Sequence, residues 1–143
     1  MTETHSPYKM RPPVMQVRVE DSMDIMIVRD TSRRAAGLLG FSPGHRAQLA
    51  SAAATLAELV LKTGEAHTLH LNGVQKSRTT GIQISSETPW LEGVSVNNVM
   101  IALKSKMGDL VDEILLVEEP LTIVMVMWRK EGGVETTLDD DEE

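Results

Sequence analysis

The longest regular pattern of apolar positions spans residues 42–64. Leucine, valine and alanine recur there every three or four residues, as at Leu49, Leu56 and Val60. This spacing predicts a helix with one wide buried face, starting after the N-cap candidate Ser42 and ending at Gly64. The many alanines on this helix leave room for another layer, most simply a sheet, to pack closely against it.

Six stretches have the alternating or continuously apolar pattern that predicts β-strands. They are residues 14–20, 24–29, 67–73, 79–86, 113–118 and 121–130. The first two flank the turn signal Asp21-Ser22 and are predicted to form a hairpin. The last stretch is apolar on both faces for most of its length, which is typical of a central strand or of one covered at an interface.

Two shorter helices are predicted over residues 32–39 and 96–107, ended by Gly40 and Gly108. The predicted order of elements is therefore β-β-α-α-β-β-α-β-β. This order indicates an α+β two-layer sandwich, with helices on one face of a mixed, mainly antiparallel sheet.

The length and charge of the chain are most informative about its two ends. The 143 residues suit one domain, predicted at residues 14–131, with a flexible arm at residues 1–13 and an acidic, disordered tail at residues 132–143. The net charge is −7, and the last five residues carry five negative charges, so −7 + 5 leaves −2 for the rest. Nucleic acid is not expected as a partner, because no basic patch of the usual kind accompanies this charge.

Composition also excludes several kinds of site. The chain has no cysteine, which rules out disulfides and thiolate chemistry. No apolar run reaches membrane-spanning length and no leader pattern opens the sequence, so we expect a cytoplasmic location and no membrane contact. His67 and His70 should point to opposite faces of their strand and cannot share a metal ion. Neither a glycine-rich phosphate loop nor a nucleophile elbow occurs, and spacing alone predicts no catalytic residue, metal or cofactor.

Two adjacent arginines, Arg33 and Arg34, stand at the start of the predicted helix over residues 32–39. Cations gain nothing from the helix dipole there, because its positive end lies at the N-terminus. Solvated surface charge is the ordinary explanation of such a pair. Contact with a protein partner is the alternative, and these two arginines are the candidate contact residues of that helix.

The chain contains the segments VRDTSRRAAGLLGFS and HRAQLASAAATLAELVLKTG, followed by LHLNG. Their order resembles the start of the anti-sigma-factor serine kinases of the GHKL (Bergerat-fold) ATPase superfamily, especially the RsbT-type switch-protein kinases. In that family a short helix ends in Leu-Gly-Phe, here at residues 39–41, and a long helix follows. The likeness continues with IQI before the nucleotide loop, DLVDE near the end and a last strand closing in WR. It covers residues 14–130 and implies a Bergerat, histidine-kinase-like ATPase fold.

The positions that bind ATP in that family are changed in this chain. The family's long helix carries a Glu and, four residues later, an Asn that holds magnesium; Thr55 and Leu59 stand at those places, and Leu59 has no oxygen for a hard cation. The family's adenine-binding Asp-x-Gly-x-Gly loop corresponds to Ser86, Thr88 and Trp90. Its glycine-rich lid corresponds to VSVNNVMIALKSKM, which contains no glycine. The resemblance therefore implies a fold that lacks the ATP lid, needs no cofactor and does not transfer phosphate.

We expect a non-catalytic regulatory protein that binds a protein partner in a bacterial partner-switching pathway. The resemblance implies that the partner is a STAS-domain protein, a sigma factor or a homologous kinase, and self-association as a homodimer is a related interpretation. Arg33, Arg34, Glu87 and Leu91 are the expected contact residues.

Two alternatives stay open. One is an active ATP-dependent serine kinase in which Ser86 or Glu87 replaces the adenine anchor and Glu58 the metal ligand. The other is a small-molecule-binding domain that reuses the former nucleotide pocket, with Trp90 as an aromatic wall.

Overall fold

The computed structural model describes residues 8–62, 66–87, 96–117 and 121–130. Three helices and five strands occur in these ranges. In chain order they are β1 (Lys9–Val19), α1 (Met23–Leu38), α2 (Pro43–Leu61), β2 (His67–Lys76), β3 (Thr79–Glu87), α3 (Val96–Met107), β4 (Glu113–Val117) and β5 (Thr122–Trp128).

The five strands form one sheet in the order β1-β2-β3-β5-β4, and the helices pack on one face of it around the main apolar core. The predicted two-layer α+β sandwich is confirmed. The sequence analysis predicted a mixed, mainly antiparallel sheet, whereas every pairing between the described strands is antiparallel. β5 has a neighbour on each side, as predicted, and is buried on both faces. Ile123 and Met125 face the helices, while Val124 and Val126 face away from them.

Residues 24–29 are helical, so the strand predicted there is wrong: α1 runs unbroken over Met23–Leu38. Its first turn is held by two aspartates. The Asp24 carboxylate accepts the backbone N–H groups of Glu20 at 2.7 Å and Asp21 at 3.2 Å, and the Asp21 carboxylate accepts that of Met23 at 2.9 Å. These bonds satisfy N–H groups that would lack a partner at a helix start.

The core-facing side chains of α1 follow a helical period that runs unbroken through residue 32, where the sequence predicts a helix to begin. The side chains that face the core recur every three or four residues: Ile25, Val28, Ser32 and Ala35. Ser32 does not cap a helix, because its hydroxyl donates to the Val28 carbonyl at 2.7 Å within α1. Arg33 and Arg34 therefore lie in the second half of a 16-residue helix and not at its start, which corrects their predicted position.

The Leu39-Gly40-Phe41 motif ends α1 with a Schellman turn. The Phe41 N–H donates to the Ala36 carbonyl at 3.0 Å, and the Gly40 N–H donates to the Gly37 carbonyl at 3.1 Å. Gly40 has φ +87°, a backbone conformation that favours glycine. The motif thus has a structural role in redirecting the chain into α2.

α2 matches its prediction closely. Ser42 is extended and its hydroxyl accepts the His45 N–H at 3.2 Å, which confirms it as the N-cap. Eight of its side chains are buried, five of them alanines. Small side chains let another element come close to α2, and that element is chiefly α1, whereas the sequence predicts a sheet. The predicted stop at Gly64 lies outside the described residues.

β1 begins at Lys9, within the region predicted as a flexible arm. Its pairing with β2 is irregular between Arg11 and Val14, where Pro12 and Pro13 have no N–H to donate to the ladder. β1 is also an edge strand, which is where prolines are tolerated.

Candidate functional site

The two positions that would hold magnesium by resemblance both lie on the C-terminal half of α2. The Thr55 hydroxyl donates to the Ser51 carbonyl at 3.0 Å, one turn earlier in the same helix. Leu59 is half-buried and packs against the main core. Neither side chain presents the free oxygen ligands that a hard divalent cation requires. These residues do not fit magnesium.

Ser86, at the position of the adenine anchor, lies on the face of β3 that meets the helices. It is fully buried, and its hydroxyl donates to the Glu87 carbonyl at 3.2 Å. Glu87 is exposed at the end of the strand and is paired with Thr122 of β5 in the sheet. A serine hydroxyl lacks the charge of a carboxylate, and this one already has a partner. The predicted site residues Thr88, Trp90 and Leu91 lie outside the described residues.

Few other candidate binding sites occur in the parts of the chain that the structure describes. No group of three or more His, Asp or Glu side chains is placed to hold a metal ion there. His67 and His70 lie on opposite faces of β2, as predicted from their spacing. An open pocket of about 120 Å³ lies beside the start of α2, lined by His45, Asp109, Lys130 and others. It is well below the roughly 300–1,000 Å³ typical of small-molecule sites.

The outward face of α1 has an unusual composition. Met23, Met26, Ile27 and Leu38 are exposed by 76%, 68%, 50% and 66%. These are four of the seven large hydrophobic side chains that are exposed among the described residues. Scattered apolar side chains are normal on a surface, whereas four on one face of one helix make that face a candidate interaction surface.

Charged side chains continue this face along α1. Arg33 and Arg34 are exposed, and the Arg33 guanidinium lies 4.0 Å from the Asp30 carboxylate one turn earlier. Exposed pairs of this kind contribute about 0.3–0.5 kcal/mol, so Arg33 is only weakly held. We call the exposed side chains of this face the α1 surface; its members are Met23, Met26, Ile27, Asp30, Arg33, Arg34 and Leu38.

The sequence predicts Arg33 and Arg34 as contact residues but not the apolar members of the α1 surface, because residues 24–29 are predicted to form a strand. The signal was present in the sequence. Met23, Ile27, Asp30 and Arg34 follow one another at intervals of three or four, which places them on one side of a helix. Of the predicted contact residues, Arg33 and Arg34 lie together on this surface, while Glu87 lies at the end of β3.

A second cluster lies on the sheet face that turns away from the helices, which we call the outer sheet face. The Tyr8 hydroxyl donates to Glu113 Oε1 at 2.6 Å, and the Trp128 indole N–H donates to Glu113 Oε2 at 2.8 Å. The two rings meet edge to face with centroids 4.9 Å apart. The hydrogen bond to Glu113 is the largest cause that raises the pKa of Tyr8 above its usual value, followed by burial and by the negative charge of Glu113.

No protein-family model matches this sequence, and no curated protein matches it. No helix in the described ranges combines the length and the apolar character needed to cross a membrane.

Proposed function

We propose that this protein is a non-catalytic regulator that binds a protein partner through the α1 surface. The observation that carries the proposal is the cluster of four exposed apolar side chains beside Arg33 and Arg34 on one helix face. The resemblance to switch-protein kinases supports a bacterial, cytoplasmic partner-switching pathway. It also supports a STAS-domain protein, a sigma factor or a homologous kinase as the partner.

The composition of the α1 surface suits a protein interface. Methionine and arginine are enriched at such interfaces relative to the rest of a protein surface. Unbranched methionine side chains adapt to a partner's shape. The opposite side of α1 contributes Val28, Ala35 and Ala36 to the core, so the helix is held rigidly. A rigid helix that presents apolar side chains at intervals of three and four is a common way to fill a partner's groove.

The absence of catalysis is proposed from the former nucleotide positions. Leu59 packs in the core, and the hydroxyls of Thr55 and Ser86 bond to backbone carbonyls. Phosphoryl transfer depends on positioning of the phosphates and neutralisation of their charge. Isothermal titration with Mg-ATP should therefore show no micromolar binding. Micromolar binding would support the kinase alternative instead.

The test of the α1 surface compares two matched substitutions. Met26→Asp places a charge within the cluster, and Ile101→Asp makes the equivalent change on α3, where Ile101 is exposed by 67% against 68% for Met26. We expect purified STAS-domain proteins or sigma factors from the same organism to bind the wild-type chain. Met26→Asp should weaken that binding at least tenfold, and Ile101→Asp should leave it unchanged.

Calorimetry or surface plasmon resonance measures the effect, and circular dichroism checks that both variants fold. Equal losses in the two variants would refute the α1 surface as the binding site. Light scattering of the free protein tests for self-association. A dimer that Met26→Asp dissociates and Ile101→Asp does not would show that the α1 surface binds a second copy of the chain.

A further inference from the structure

The α1 surface carries both signs of charge in a fixed order along the helix. From the start of α1 to its end, it presents three apolar side chains, one acid, two bases and one more apolar side chain. In chain order these are Met23, Met26, Ile27, Asp30, Arg33, Arg34 and Leu38. Side chains three and four apart share one side of a helix, so these residues form a continuous stripe. The two halves of the stripe complement each other, with apolar side chains at both ends and opposite charges in the middle.

A stripe with this order fits a second copy of itself when the two helices run antiparallel. In a pair related by a twofold axis, every contact between two residues occurs twice, once in each direction. If the axis lies level with residue 32, Asp30 of one copy lies level with Arg34 of the other, because both are two positions from the axis. Met26 of one copy lies level with Leu38 of the other, six positions from the axis. The 16 residues of α1 span about 24 Å, which allows contact over about four turns.

The charges of the α1 surface are available for this pairing. Arg34 is exposed and forms no ion pair with any of the residues that the structure describes. The Asp30 and Arg33 side chains are 69% and 51% exposed, and their charged atoms are 4.0 Å apart. Two copies of a surface with one sign of charge would repel each other, and two parallel α1 helices would place like charges together. Antiparallel pairing places each acid beside the bases of the other copy.

We propose that the α1 surface binds a second copy of the chain as an antiparallel, twofold pair of α1 helices. In this pair Asp30 faces Arg34 of the other copy, and Met26 faces Leu38. The inference rests on the proposed function, because it uses the same surface, and it adds a form of regulation. Two paired copies cover the apolar members of the α1 surface, so a protein partner binds only after the dimer dissociates.

Charge reversal tests the pairing with the protein alone. Asp30→Arg and Arg34→Asp each place like charges opposite each other in a pair of identical chains, so each should weaken dimerisation at least about tenfold. An equimolar mixture of the two variants should dimerise as the wild-type chain does, because opposite charges then face each other again. Mixing two chains cannot restore a contact within one chain. Recovery in the mixture therefore distinguishes pairing between copies from an effect on the helix itself.

Sedimentation velocity over a range of protein concentrations measures the dimer, and circular dichroism checks that every variant folds. The matched controls reverse exposed charges on the other two helices, with Glu58→Arg on α2 and Lys104→Asp on α3. Both controls should dimerise as the wild-type chain does. A wild-type chain that stays monomeric at every concentration would overturn the inference. Equal losses in the controls, or no recovery in the mixture, would also overturn it.

Two further results separate this inference from the proposed function. A monomeric chain that binds a STAS-domain protein or a sigma factor through the α1 surface would overturn the dimer and leave the proposed function intact. A dimer that recovers on mixing, in a chain that binds none of these proteins, would support the dimer and contradict the proposed function. If both proposals hold, addition of the partner should convert the dimer into a complex with one copy of the chain. Binding of the partner to the intact dimer would overturn the proposed regulation.

Discussion

The α1 surface and the outer sheet face depart from the usual distribution of side chains in opposite ways. The α1 surface exposes methionine, isoleucine and leucine to solvent, and the outer sheet face buries asparagine and glutamine. Apolar side chains that are exposed together on one helix face are typical of a contact surface, whereas buried amides belong to the interior of a fold. The difference supports the α1 surface, and not the outer sheet face, as the proposed contact with a partner.

The largest expected difference in stability comes from placing an aspartate on each of the two surfaces in turn. Val126→Asp should destabilise the fold by roughly 4 kcal/mol or more, because a carboxylate would be buried beside Gln83 on β3 and opposite the Glu113 carboxylate on β4. Met26→Asp should change the stability by less than about 0.5 kcal/mol, because it lies in water. Urea denaturation followed by circular dichroism measures both. A loss below about 1 kcal/mol for Val126→Asp would mean that water already reaches the outer sheet face.

A smaller effect on stability is expected at Tyr8, on the outer sheet face. Tyr8→Phe keeps the ring against Trp128 but removes the hydrogen bond to Glu113, and we expect a loss of about 1 kcal/mol at neutral pH. The raised pKa of Tyr8 adds a pH dependence of known sign. The folded state holds the phenol proton more tightly than the unfolded state does. The contribution is therefore fully present below pH 10 and declines as the pH rises through the folded-state value.

Measurement of stability from pH 8 upward checks this prediction. The wild-type chain should lose more stability than Tyr8→Phe at alkaline pH, and the two curves should converge. Parallel curves for the two proteins would show that the Tyr8 hydroxyl is not bonded to a carboxylate in solution.

The same two surfaces show how far the sequence could predict this structure. Apolar alternation and caps predict α2, α3 and all five strands, because each of these patterns lies within one element, although β1 begins five residues before its predicted start (14 − 9). The start of α1 was missed because Asp24, Ile25 and Val28 suit a short strand as well as one side of a helix. In the structure the helix start is marked by two sets of bonds: the Asp24 carboxylate accepts the N–H groups of Glu20 and Asp21, and the Asp21 carboxylate accepts that of Met23.

The outer sheet face could not be predicted from local pattern. Gln83 alternates with Ile82 and Ile84 along β3, so sequence alone suggests a solvated polar side chain. The same sheet face packs against Tyr8, which is 75 positions away from Gln83 in the chain (83 − 8). Contacts over such separations leave no periodic signal. The resemblance alone assigns Thr55 and Leu59 to a magnesium site, and the contacts of their side chains are known only from the structure.

The smallest expected effect on stability concerns Arg33, on the α1 surface. Arg33→Ala removes an exposed pair with Asp30 at 4.0 Å, so the free energy of unfolding should change by no more than about 0.5 kcal/mol. If the α1 surface binds a partner, the same substitution should slow association, because exposed charges at the rim of an interface affect the association rate more than the dissociation rate. We expect a lower association rate and a weaker dependence of that rate on salt, with little change in dissociation.

Arg18→Ala is the matched control, since Arg18 pairs with Glu20 at 2.6 Å on the exposed edge strand β1. Equal association rates for the Arg33 and Arg18 variants would limit the binding site to the apolar part of the α1 surface.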